Sequence, residues 1–491
     1  MKSYRFWFIC GSQHLYGPQV LAQVKEHARA IVTHLNESEQ IPFPIDLKPI
    51  ATTAEEIRQL LVAANVDGDC AGVVTWMHTF SPAKMWISGL TTLNKPLLHL
   101  HTQFHRDIPW ETLDMDFMNL NQSAHGDREY GFLATRMNIA RKVIAGHWSN
   151  PSLQRRLGLW MRTAVGVVES QQVKVARFGD NMREVAVTEG DKVEAQIRLG
   201  WSVSGYGMGD LVQTVQEISE DDVTAVLDEY ATRYEIPDGV WRDTSSFESV
   251  RGQARIELGM RRFLDSGGFN AFTTTFEDLH GLDQLPGLAV QRLMESGFGF
   301  GAEGDWKTAA LLRVMKVMAG FKGTSFMEDY TYHLEPGNER ILGAHMLEVC
   351  PTIAATRPRI EVHPLSIGAK ADPARMVFNG RPGPAVCAAL VDLGSRFRLV
   401  VNEVEAVEPQ HEMPQLPVAR VLWRPQPTLQ EAAEAWIYAG GAHHTVFSYN
   451  VTTEQLQDWA EMVGVECVVI DKDTSIRQLR NELRWGNAAW R

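Results

Sequence analysis

The sequence predicts an α/β protein whose last third turns to antiparallel β structure, and three observations carry that prediction. Short apolar runs alternate with amphipathic helical stretches through the first two thirds of the chain. Most of these runs close on a turn rich in Gly, Ser, Thr or His before the next helix begins. From about Gly323 prolines become frequent and segments of period two take over. Strand, loop and helix in alternation give a parallel sheet covered on both faces, whereas period-two segments give strands with one buried face.

Taken in order, Tyr4 to Cys10 reads as a buried strand ending in the turn Gly11-Ser12-Gln13-His14. Pro18 opens a helix with Val20, Val24, Ala28, Ile31 and Leu35 on one face. Ile45–Ile50 is a second strand, and Thr53-Ala54-Glu55-Glu56 is a capping box for a helix through Ala64. Ala71–Met77 and Pro96–Leu100 are further strands. Gln13, His78, Phe80, His101 and Gln103 then fall at carboxyl ends of strands, where such sheets hold ligands. The glycine pattern of a dinucleotide loop is absent. A new strand at Val173 follows a helical span, Pro151 to Ser170, and a second α/β rhythm runs to an apolar helix, Trp306–Met318. The β-rich part holds alternating stretches at Ile360–His363, Arg396–Val401 and Val418–Leu422. A short α/β tail is expected after it, with strands at His444–Phe447 and Cys467–Ile470. The expected domains are residues 1–172, 173–323 and 324–491.

A chain of 491 residues exceeds a single core. With 44% apolar and 22% charged residues it is globular throughout. A net charge of −13 without a basic stripe argues against nucleic acid. No apolar run reaches membrane-spanning length, and the N-terminus lacks a signal segment. Five scattered cysteines without a C-x-x-C read as reduced thiols of a cytoplasmic protein.

The chemistry concentrates in four clusters: Gly301–Trp306, Ser325–Tyr330, Gly343–Glu348 and Gly440–Thr445. They supply two carboxylates, Glu303 and Glu328, and two imidazoles, His345 and His444, a set that one divalent cation would bring to neutrality. Each also has a plain reading. Glu303 would stabilise the dipole of the helix that follows. Glu328-Asp329 would be a solvated pair at a turn, and His345 and Glu348 a hydrogen bond along a helix face. His443-His444 would be one core and one exposed histidine. No local spacing matches a known metal motif, so the fold would have to assemble a site. Three functions stay open: a metal-assisted enzyme on a small polar substrate, a sugar- or metabolite-binding protein, and a two-metal hydrolase.

Several long strings resemble the L-arabinose isomerase family. They are Gly11–Gly17, Trp76–Trp86, Met115–Gln122, Arg177–Val185, Thr273–Gly281 and all four clusters, so the resemblance covers essentially the whole chain. It implies two Rossmann-like parallel-sheet α/β domains followed by a mostly antiparallel β-barrel-like domain, as in fucose and arabinose isomerases. It also implies a cytoplasmic ketol isomerase converting L-arabinose to L-ribulose, often with D-galactose to D-tagatose as a side activity. One divalent ion per subunit, usually Mn²⁺, would be held by Glu303, Glu328, His345 and His444, with the two glutamates as acid and base. Sugar contacts fall on Gln13, Leu15, His125, Met182 and Phe276. His443 is expected to orient His444, and trimers pairing into hexamers are the expected assembly. L-fucose isomerase is the alternative enzyme.

Overall fold

Burial on both faces explains why the first strands read as unbroken apolar runs. The computed structural model describes residues 2–365 and 370–490, in two units, Met1–Val168 and Glu169–Arg491. In the first unit β1 (Arg5–Gly11), β2 (Ile45–Leu47), β3 (Cys70–Met77), β4 (Leu97–His101) and β5 (Lys142–Ala145) form a parallel sheet in the order β2-β1-β3-β4-β5. Every residue of β3 is buried. The helix Gly17–Glu37 packs Val24, Ala28, Ile31 and Leu35 inward, the stripe its spacing predicts. Thr53 and Glu56 close the expected capping box on the helix Ala54–Val66. Strand β5 was not foreseen. It has four residues, only one of them buried, so it lacks an apolar run.

The second unit opens with β6 (Lys174–Phe178), β7 (Ser202–Tyr206), β8 (Ala271–Thr274) and β9 (Gly299–Gly301), a parallel sheet in the order β7-β6-β8-β9. Then come β10 (Thr324–His333), β11 (Arg340–Ala344), the hairpin pair β12 (Arg359–Val362) and β13 (Ala374–Val377), β14 (Gly383–Asp392), β15 (Phe397–Val407), β16 (Arg420–Pro425), β17 (His444–Ser448) and β18 (Glu466–Ile470). Six antiparallel strands run β14-β17-β10-β11-β16-β15, and pairing of β14 with β15 closes them into a barrel. The predicted fold class is therefore present: parallel-sheet α/β structure followed by an antiparallel β-barrel. The strands expected of the α/β tail are present too, but they do not stand apart from the barrel. β17 lies inside the barrel, and β18 adds to β15 in parallel. Being wholly buried, β17 carries no alternation from which its antiparallel partners could be read.

The helix Trp306–Met318 is buried at all but one of its thirteen residues, because it packs against β6, β8 and β9 on one side and β10, β14 and β17 on another. A helix apolar all round is a core helix. It joins parallel sheet to barrel, and the loop before it carries Glu303. Among the described residues no helix is long and apolar enough to cross a membrane.

Candidate active site

Register brings three of the four ligand candidates together. In the β10–β17 pair Glu328 lies opposite His444, and in the β10–β11 pair Glu328 lies opposite Ala344, so His345 follows at the strand end. His345 Nε2 lies 3.9 Å from a Glu328 oxygen. The two rings, His345 and His444, have centroids 6.0 Å apart and both pack edgewise on Phe326.

Glu303 arrives from the other side, on the turn between β9 and the buried helix. Its φ is +57° and that of Gly304 is +78°. A left-handed glutamate is uncommon and is kept only where its surroundings hold it. Here Met182 N donates to Glu303 O at 2.9 Å, Gly304 N to Thr274 O at 3.1 Å, and the Asn181 amide to Gly304 O at 3.2 Å. The acid at the N-terminus of the helix that follows is Asp305, which caps it by accepting from Thr308 N, and not Glu303, expected to stabilise its dipole. Glu303 is thus left to face the histidines, 3.4 Å from His443 Nε2 and 3.8 Å from His444 Nε2. Donor atoms of Glu303, His443 and His444 all lie within 4.8 Å of one another.

Two carboxylates that sequence reasoning did not assign to the site stand behind the imidazoles. Glu348 Oε2 is 2.6 Å from His345 Nδ1, and Asp305 Oδ2 is 3.2 Å from His444 Nδ1. The His345–Glu348 bond sits on a bend after β11, not on a helix face. Each carboxylate is buried. A carboxylate on Nδ1 orients an imidazole and leaves Nε2 as the bare acceptor, the arrangement of histidines that hold metals. His444 Nε2 is buried and has no hydrogen-bond partner among the described residues. That orphaned nitrogen, beside oxygen and imidazole donors and no thiolate, fits a divalent cation. The only local signals for these two acids were spacings: Glu348 three residues after His345, and Asp305 three before Thr308.

The electrostatics agree. Burial, the largest influence on Glu303, pushes its carboxyl up, but the hydrogen bond from His443 and the nearby His444 outweigh it and hold it below the usual range. Asp305 is held lower still: burial raises it, and Lys307 and His444 more than compensate. The Lys307 ammonium, itself buried, lies 3.4 Å from Asp305. Burial with the neighbouring Glu328 pushes Asp329 up to about 7. Glu303 and Asp305 are thus kept charged by the cations and imidazoles beside them, while burial, with a second acid nearby, disfavours charge on Asp329.

A cavity of about 100 Å³ opens on Glu303, Glu328 and His345, walled by Phe276, Leu279, Tyr330 and Met346. Of the sugar contacts expected, Phe276 lines it. Half-buried Met182 touches the Glu303 turn through its backbone. Gln13, Leu15 and His125 belong to the first unit. Gln13 follows β1, Leu15 is 82% exposed in the turn His14–Tyr16, and exposed His125 stands over Phe80 with ring centroids 4.8 Å apart.

The chain matches three successive family models: the L-arabinose isomerase N-terminal domain over residues 1–172, the central domain over 174–321 and the C-terminal domain over 323–466. It is 67% identical over 491 residues to an L-arabinose isomerase of Geobacillus stearothermophilus, covering 100% of this chain and 99% of the relative. It is 64% identical over 490 residues to L-arabinose isomerase 1 of Bacillus licheniformis, covering 100% and 98% of the two chains. With the L-arabinose isomerase of Clostridium beijerinckii the identity is 59% over 491 residues, covering 100% and 99%. Matched by family models along most of its length and by relatives from end to end, the chain belongs to the L-arabinose isomerase family.

Proposed function

We propose that the chain is a ketol isomerase interconverting L-arabinose and L-ribulose, and that Glu303, Glu328, His345 and His444 hold one divalent cation, Mn²⁺, per subunit. The observation that carries the reading is the buried, unpaired Nε2 of His444 facing Glu303, with Glu328 and His345 beside it. When bound, the cation would draw electron density from the sugar's carbonyl and hydroxyl oxygens.

The protein's own residues do the rest. Aldose and ketose differ by a proton moved between C2 and C1 and another between O1 and O2, through a cis-enediol. Glu303 and Glu328, both lining the cavity, take and return the proton on carbon. His443, hydrogen-bonded to Glu303, keeps that carboxyl ionised and ready to accept, and its ring, 4.3 Å from that of His444, orients its neighbour. Phe276 and the apolar wall exclude water from the carbon that loses its proton. Gln13, Leu15, His125 and Met182 complete the sugar contacts, the first three within a homo-oligomer of trimers paired to a hexamer. D-Galactose, one carbon longer, is a secondary substrate giving D-tagatose. The reaction opens L-arabinose catabolism in the cytoplasm.

The test is ketose formation from L-arabinose by protein stripped with EDTA, before and after Mn²⁺ is restored. Activity lost and regained is expected, and a stripped protein that turns over at the full rate would overturn the metal assignment. Replacement of Glu303 by Gln should lower turnover about 10²- to 10⁴-fold with the fold intact. A variant that isomerises near the wild-type rate removes Glu303 from the mechanism.

A further inference from the structure

The first unit contains a buried group that the reading above does not use. Asp127 accepts hydrogen bonds from two histidines of β4 at once: His99 Nε2 at 2.7 Å and His101 Nδ1 at 2.5 Å. The side chains of Asp127 and His99 are 3% and 4% exposed, so the three form an imidazole–carboxylate–imidazole clamp set into the sheet. Asp127 sits in the helix Ser123–Arg136, two residues after His125.

That helix is moored at its first turns to the carboxyl ends of two adjacent strands. Ser123 Oγ donates to Met77 O at 3.1 Å, at the end of β3, and Gln122 N to His78 O at 3.2 Å. Asp127 supplies the link to β4. Glu129 accepts from Ala83 N at 3.0 Å and so fixes the segment after Phe80. His125 is carried between these moorings, exposed, with its ring against Phe80 at the carboxyl edge of a parallel sheet. Small polar ligands are met at that edge in such sheets. A turn so heavily tied exceeds what a surface helix needs, and a buried carboxylate with two histidine donors is a demanding way to stabilise a fold.

We infer that Asp127, clamped by His99 and His101, is a positioning residue that fixes His125 for sugar binding; the inference rests on the proposed contact between His125 and the sugar. An amide at 127 keeps the volume but removes the anion and turns an N–H₂ toward one ring, which must give up the proton on that nitrogen to keep the bond, so the clamp is weakened. The helix then shifts at its first turn, and His125 with it. Displacements of about 1 Å in a substrate-holding group cost up to about 10²-fold.

The experiment is a double-mutant cycle on the Mn²⁺-loaded full chain with L-arabinose. Asp127→Asn is expected to raise KM about tenfold while kcat changes by less than about twofold. His125→Ala is expected to raise KM by itself, and adding Asp127→Asn to it should do nothing more. Should Asp127→Asn fail to fold, His101→Gln removes the half-exposed arm of the clamp and is expected to give the same KM rise and the same silence in the His125→Ala background. An unchanged KM in the folded clamp variant, or a KM rise that persists in full without the His125 ring, overturns the positioning role alone. A normal KM for His125→Ala by itself overturns the sugar contact, and the inference falls with it.

Discussion

Glu303 is held where a glutamate does not sit unaided. Its left-handed backbone depends on Gly304, which occupies φ +78° with no room for a side chain: a Cβ there would come within 2.5 Å of Asn181 Cα and 2.6 Å of Asp180 O. Both are backbone atoms and cannot swing aside. Gly304→Ala should therefore push the turn off the Asp180–Met182 segment, carrying the carboxylate away from His443 and His444. A loss of at least about tenfold in kcat/KM is expected, with weaker Mn²⁺ binding in titration calorimetry. Equal activity and metal affinity would mean that the strained turn does not set the carboxylate's position. At this scale the sequence was informative about chemical type and silent about partners distant in the chain. Glu303, Glu328, His345 and His444 stand out as polar groups among Gly and aromatic residues. Glu348 reads as the partner of His345, though on a helix face, whereas Asp305 has no reading of its own, because its pairing with His444 depends on how strands far apart in the chain come together. Asp305 also caps the helix Trp306–Met318, accepting from Thr308 N.

At the scale of elements, existence was legible from apolar runs and periodicity, while pairing was not. The helix Gly17–Glu37 and the capping box at Thr53 follow from spacing and hydrogen-bonding chemistry that act within a few residues. Replacing Thr53 by Ala removes the acceptor for Glu56 N, and the return bond, donated by the Thr53 amide to the Glu56 carboxylate, loses its fixed geometry. A loss of about 1 kcal/mol is expected, seen as faster amide exchange confined to Ala54–Val66. Exchange that stays at the wild-type rate would mean that tertiary packing alone holds this end. β17 behaves differently. All five of its residues are buried, so periodicity is lost, and it was read as part of a tail when it is the strand that delivers His444. The register that sets Glu328 against His444 spans more than a hundred residues of chain and has no local signature.

For the whole second unit the decisive fact is closure of the barrel: β14 and β15 are consecutive and pair directly, but β17 pairs with β14 and β10, and β16 with β11, out of sequence, and chain order does not disclose those pairings. Closure removes the barrel's own edges, yet β15 also carries β18 in parallel, and the join is charged. Glu466 at the start of β18 accepts from Arg396 at 2.5 Å and Arg398 at 2.9 Å, and Arg396 also donates to Asn487 in the helix Ile476–Ala489. The Glu466 side chain is 10% exposed. Burial, the strongest influence, raises its carboxyl, but the bonds from Arg398 and Arg396 outweigh it and leave it below the ordinary glutamate range. A depressed carboxyl stabilises the folded state fully above the unfolded value, about 4.3, and loses that contribution as the pH falls through the folded value. Glu466→Gln should thus weaken the join by about 3 kcal/mol or more near neutral pH, since it leaves two buried guanidinium groups without their anion. The gap between the two proteins should then narrow as the medium is acidified below about pH 4, where the wild-type carboxyl begins to take up its proton. Amide exchange of β15 and β18, compared between the two proteins at each pH, reads this directly. A gap that holds constant with acidification would mean that the packing of Ile476–Ala489, not the charge on Glu466, fastens β18 to the barrel.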